Sequence, residues 1–130
     1  MARKDGWEWI LARRLDEDRR MPFVWGQRDC ALWAADCVLE ITGVDYAAPF
    51  RGQYDTEAGA KKIINEKYNG LCSYIDAHLP SIPVPMAGRG DIVFYNAALG
   101  VCYGRYSYFV THRGLTPIPT GRCERAWRIE

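Results

Sequence analysis

The sequence is poor in the residues that most site chemistry needs. It holds only two histidines, His78 and His112. No two cysteines form a Cys-x-x-Cys pair, and the spacing of Cys30 and Cys37 matches no common zinc or iron–sulfur pattern. Neither a metal nor a cofactor is expected. No run approaches the roughly 18 apolar residues of a membrane-spanning helix. The N-terminal stretch MARKDGWEWILARRLDEDRR lacks the apolar core of a secretory signal. Net charge is scarce as well: 17 Lys+Arg against 16 Asp+Glu leave +1, which argues against a nucleic-acid partner. Five cysteines (Cys30, Cys37, Cys72, Cys102 and Cys123) are an odd number and cannot all pair within the chain. With no export signal, the expectation is a set of reduced thiols in a protein made in the cytoplasm, most of them in the core.

What the chain does have is material for burial. Its 130 residues fit one domain, 1–130, and 48% of them are hydrophobic. A folded 14.9 kDa chain exposes roughly 7,000 Å² of the roughly 21,600 Å² open to water when unfolded. That leaves a sizeable core without help from disulfides, and the 4 Phe, 5 Trp and 8 Tyr exclude disorder as the main state.

Trp7, Ile10, Leu11 and Leu15 form the apolar stripe of a helix over about residues 5–19, with Arg13, Arg14, Asp16, Glu17 and Asp18 on a solvated face. Pro22 breaks it. A second helix is predicted from Cys30 to Ile41, capped by Asp29 and ended by Gly43. It is apolar almost all round, so it should be central and buried, with Asp36 bonded to a partner such as an arginine. Residues 44–54 read as irregular. A third helix is expected over 56–67, a short one over 72–79, and an extended loop at Pro80–Pro85.

From Gly90 the period changes. Asp91–Tyr95, Leu99–Tyr103, Tyr106–Val110, Leu115–Ile118 and Arg125–Ile129 read as short strands in an antiparallel meander. Helices first and strands afterwards make an α+β chain with segregated layers.

The segment Trp25-Gly26-Gln27-Arg28-Asp29-Cys30 carries the most chemistry. A glycine-containing approach delivers a cysteine to the start of a buried helix. There the helix dipole and free N–H groups, those of Cys30 and Ala31 among them, favour a thiolate and could receive an oxyanion. A small apolar residue that merely opens a helix is the competing reading.

Pro22-Phe23-Val24-Trp25-Gly26, followed by Asp29-Cys30, resembles the nucleophile segment of the NlpC-like cell-wall cysteine peptidases, a papain-like superfamily. Arg89-Gly90-Asp91-Ile92-Val93-Phe94 and Leu99-Gly100-Val101-Cys102-Tyr103-Gly104 resemble two of that group's sheet strands, in the same order. A closer resemblance, across nearly the whole chain, is to short phage tail-module proteins distantly related to those peptidases. It rests on Trp25 to Cys30, Thr42-Gly43, Gly90-Asp91-Ile92, Leu99-Gly100-Val101 and Ala126-Trp127-Arg128.

The resemblance implies a papain-like fold with Cys30 as nucleophile beside Asp29, and Trp25 and Gly26 on a groove. It also implies a place in a virion tail tip assembled in the host cytoplasm, with other tail-tip or hub proteins as partners and peptidoglycan as a possible ligand. One departure matters most. The position matching the peptidases' general-base histidine is Ala98, and Ser-Gly after the nucleophile is replaced by Ala31-Leu32. Thr111 falls near the position of the third, polar residue that orients the base. His112 is the candidate for a displaced base. A two-residue hairpin loop at Gly104-Arg105 would pair Tyr103 with Tyr106 and Ala98 with Thr111, turning His112 away. A three-residue loop would bring His112 opposite Ala98. Three functions stand open: a structural tail-tip protein with its chemistry lost, an active stem-peptide endopeptidase, and a non-catalytic binding module.

Overall fold

A computed structural model describes residues 3–130, and it is α+β, with four helices and a six-stranded antiparallel sheet. The helices are α1 (Trp7–Glu17), α2 (Cys30–Thr42), α3 (Glu57–Tyr68) and α4 (Leu71–Asp76). The strands are β1 (Ser81–Ile82), β2 (Ile92–Tyr95), β3 (Ala98–Tyr103), β4 (Tyr106–Thr111), β5 (Gly114–Pro119) and β6 (Arg125–Trp127). Short 3₁₀ turns occupy Val84–Met86 and Thr120–Arg122. The accessible surface of 7251 Å² is close to the roughly 7,000 Å² expected from the mass of the chain.

Helix α2 forms where expected because both ends are punctuated. Asp29 Oδ1 accepts from the Leu32 N–H at 2.9 Å, and Gly43 closes the helix in the left-handed region at φ 86°. Leu32, Trp33, Ala34, Cys37, Val38 and Ile41 are buried, so α2 is the hub between α1 and β3. Its two acidic residues both meet arginine: Asp36 accepts from Arg51 at 2.7 Å and from Arg14 at 3.4 Å, and Glu40 pairs with Arg14 at 3.5 Å. Two residues expected on the solvated face of α1 are instead drawn inward. Asp18, 8% exposed, accepts from Trp33 Nε1 at 2.9 Å and from Arg14 Nε at 2.7 Å. The indole N–H of a buried Trp needs an acceptor, and the carboxylate at the end of α1 supplies it.

The sheet order is β1-β6-β2-β3-β4-β5. Strands β2 to β5 form the expected meander, but β6 returns to pair with β2, placing Trp127 opposite Ile92. The proline loop holds an unforeseen two-residue strand, β1, on the far side of β6. Alternation sorts the side chains. Ile92, Leu99, Val101, Val110 and Trp127 face the helices, while Val93, Cys102, Phe109 and Ala126 face the layer made by the two 3₁₀ turns.

The Gly-Asp-Ile segment ties the termini together. Asp91, 2% exposed, accepts from the Ile129 N–H and Arg3 Nη2 at 3.0 Å and from the Gly88 N–H at 2.9 Å. Arg3 also donates to the Ile129 and Arg89 carbonyls. A buried carboxylate survives here because two backbone N–H groups and the Arg3 guanidinium satisfy it.

Candidate functional site

Cys30 is delivered by a tight reversal. Val24 and Arg28 pair as an antiparallel bridge, with Arg28 N–H donating to the Val24 carbonyl at 2.8 Å. Gly26 sits at the bend with φ 80°, and a Cβ there would collide with the Tyr54 carbonyl oxygen. Both the conformation and the close approach demand glycine. The chain then passes through Asp29 in extended geometry and enters α2 at Cys30.

Asp29 locks this arrangement. It is 1% exposed, and its Oδ2 accepts from the Gly26 N–H at 3.1 Å and from the Tyr54 hydroxyl at 2.6 Å, while Oδ1 caps the helix. Burial and the bond to Asp29 push the Tyr54 phenol well above its ordinary range. The three hydrogen bonds that Asp29 accepts hold the turn, the helix cap and the Tyr54 segment. Asp29 positions Cys30, and it has no imidazole to orient.

The half-buried Cys30 thiol lines a cleft of about 490 Å³ between the α2 N-terminus, α3, the start of α4 and the β2–β3 turn. Trp25, Tyr54, Asn65, Cys72, Phe94 and Ala97 are among its walls. Burial pushes the thiol up, and the neighbouring Asp29 carboxylate adds to the shift. The backbone N–H groups of Leu99, Ala31 and Cys30 itself pull the other way and do not win. Of the two readings open for Cys30, the balance favours the protonated thiol: desolvation outweighs the N–H groups.

Among the residues lining the cleft there is no imidazole. The Glu57 and Lys61 side chains on its α3 wall pair with each other at 2.9 Å.

A family model described as a domain of unknown function, DUF6950, matches residues 2–129. The chain belongs to that family. No curated protein and no solved structure matches it.

The DUF6950 chain places the remaining candidates as follows. The Gly104-Arg105 loop has two residues and pairs Tyr103 with Tyr106. His112 lies in the next turn, exposed, its ring 6.0 Å from that of Phe23, which in turn packs edge-on against Trp25 at 4.7 Å. It does not line the cleft. The Thr111 hydroxyl is spent on its own hairpin, bonding the Gly114 carbonyl and Thr116 Oγ1. Ala98 packs on the outer face of the sheet with its partner Tyr95, and the residue that the turn presents to the cleft is Ala97. His78 bonds the Tyr74 carbonyl through Nδ1 at 2.8 Å and lies against the Tyr74 ring.

Three site residues were not foreseen. Tyr54 falls in the segment read as irregular, and nothing local marks a tyrosine that will reach Asp29. Cys72 shares the cleft with Cys30 across a separation that spacing rules do not cover. Ala97 was hidden by turn geometry: Asn96 and Ala97 both have positive φ, 48° and 64°, which makes the two-residue turn and aims Ala97 at the helices.

Proposed function

We propose that this protein is a structural component of a phage tail tip or baseplate hub, built on a papain-like, NlpC-like scaffold whose peptidase chemistry is lost. One observation carries the loss of chemistry: Cys30 lines an open cleft whose walls hold no histidine. A thiol pushed up by burial is almost wholly protonated at neutral pH. Without a nearby base it is not activated, and a leaving amine finds no proton donor. The place in the tail tip rests on the resemblance of Trp25 to Cys30, Gly90-Asp91-Ile92, Leu99-Gly100-Val101 and Ala126-Trp127-Arg128 to small tail-module proteins. Support comes from what those residues do here. Gly26 and Asp29 shape a turn, Asp91 ties the termini, and Trp127 fills the core and donates to Asp76 at 2.8 Å. All of these are scaffold roles.

A second reading, a binding module for a cell-wall fragment or a tail-protein segment, is favoured by the size and mixed lining of the cleft. Both readings are tested together. Deleting the gene and imaging the particles is expected to show absent or malformed tips. Purified protein incubated with cross-linked muropeptides is expected to release nothing. Normal, infectious particles would overturn the structural reading. Turnover that disappears on Cys30→Ala would restore the peptidase.

A further inference from the structure

At the end of β3 away from the Cys30 cleft, about 17 Å along the strand, the helix-facing side of the sheet meets the end of α1. The side chains there are aromatic. Tyr103 and Tyr108 are half-buried with ring centroids 6.5 Å apart, and Tyr106, paired with Tyr103 across the hairpin, is 46% exposed. Together with Leu15 and Pro117, Tyr103 and Tyr108 line a groove of about 440 Å³ between the end of α1 and the sheet.

Charge around this platform is one-sided. The Arg89 guanidinium sits 5.7 Å over the Tyr103 ring, and Arg105 stands exposed at the hairpin tip between Tyr103 and Tyr106. Among the described residues, neither of these two side chains makes a hydrogen bond or an ion pair, whereas Arg3, Arg14, Arg51 and Arg125 are all paired. The one carboxylate lining the groove, Asp16, is held by Arg19. Tyrosine and arginine are the residues that anchor protein interfaces, and an unpaired guanidinium seeks a carboxylate.

The adjoining sheet edge narrows the mode of docking. Pro117 and Pro119 of β5 offer no N–H, and the Leu115 N–H is already given to the Arg19 carbonyl at 2.9 Å. A partner cannot readily extend the sheet there and must dock through side chains. The platform itself offers two guanidinium groups, on a chain of net charge +1, too few to track a phosphate backbone.

We infer that the Tyr103–Tyr106–Tyr108 platform, with Arg89 and Arg105, docks an extended, proline-containing segment of a partner protein that carries carboxylates. Proline rings lie flat on tyrosine, cost little entropy to order, and leave acidic neighbours to meet the two guanidinium groups.

The probe is an acetylated, amidated dodecapeptide of alternating glutamate and proline, titrated into ¹⁵N-labelled protein. The same peptide with lysine for glutamate, and a twelve-nucleotide oligothymidylate, are run alongside. Amide shifts are expected at 103–108 and 115–118, with an affinity that falls as salt is raised. Arg89→Glu with Arg105→Glu is expected to weaken binding about tenfold or more, the effect of losing two charge-assisted contacts. Tyr106→Ala is expected to weaken it severalfold. All three positions are exposed or half-exposed, and unchanged spectra elsewhere verify the fold. Equal binding of the lysine peptide, shifts confined to the Cys30 cleft, or no shift at millimolar peptide would overturn the proposal. Tighter binding of the oligothymidylate would replace the protein partner with a nucleic acid.

Discussion

The Tyr54 hydroxyl donates a 2.6 Å hydrogen bond to Asp29 Oδ2, 25 residues earlier in the chain. This bond fastens the irregular segment after α2 to the turn that precedes it, and so fixes one wall of the cleft relative to Cys30. The same carboxylate oxygen holds the Gly26 N–H, and the other holds the Leu32 N–H. One buried carboxylate thus sets the turn, the cap and the wall.

Removing the phenol alone should cost less than removing the carboxylate. Tyr54→Phe deletes one bond to a charged acceptor, a loss of about 1.5–3 kcal/mol. Asp29→Ala deletes the cap and orphans two further donors, a loss of about 3–5 kcal/mol. Urea unfolding followed by tryptophan fluorescence measures both. Equal losses in the two variants would show that the Gly26 and Leu32 bonds contribute little.

The parts of this arrangement visible in the sequence are those encoded locally. Asp29 and Gly43 bracket α2 because caps are local chemistry, and Gly104-Arg105 sets the β3–β4 register because the loop is two residues long. The return of β6 to β2 and the pairing of β1 with β6 are not local. They depend on which apolar faces meet, and no period in 80–85 or 125–129 reports that. Residues 44–54 read as irregular in the sequence, yet Phe50 is 6% exposed and Arg51 is held by Asp36 and Asp45. The segment carrying them folds back over α2, so its aromatics belong to the core. The protonation of Cys30 stays open in the sequence for a related reason. A helix N-terminus is legible in a sequence, and the depth at which it is buried is not.

Asp91 offers a second test of scaffold against chemistry. Asp91→Ala leaves Arg3 half-buried without its carboxylate and orphans the Ile129 and Gly88 N–H groups, so a loss of about 3–5 kcal/mol is expected. Arg3→Ala should cost less, and the double variant should cost less than the sum of the two, because both lose the same contact. Simple additivity in denaturation midpoints would mean that the two residues act independently.

Two carboxylates should make stability fall in acid. The Arg51 guanidinium holds Asp45 below its usual range, and Arg125, with help from the Trp127 indole, does the same for Asp76. A folded value below the unfolded value of about 3.9 means the contribution is complete above about pH 5. It is lost as pH falls through the folded value. Both side chains are partly exposed, so the effect is modest and screened by salt. The stability gap between the native protein and Asp45→Asn or Asp76→Asn should shrink as pH is lowered toward 3. A gap that stays constant over that range would mean that the arginines do not hold these carboxylates in the charged form.

The last prediction concerns what Cys30 lacks. Burial keeps its thiol protonated, so alkylation by iodoacetamide at neutral pH should be slower than that of a free cysteine in a short peptide. The turn presents Ala97 to the cleft and sends the Ala98 methyl to the other face of the sheet. An imidazole should therefore activate the thiol from position 97 and not from position 98. Ala97 already sits at φ 64°, a conformation that histidine enters more readily than most residues, so Ala97→His can be accommodated. The expected outcome is a rise in the alkylation rate of Cys30 for Ala97→His, titrating near the imidazole's ordinary value of about 6.5, and no rise for Ala98→His. Cys30→Ala in each background separates this signal from Cys72, which lines the same cleft. Activation by Ala98→His with none from Ala97→His would mean that the start of β3 turns its first side chain toward the helices.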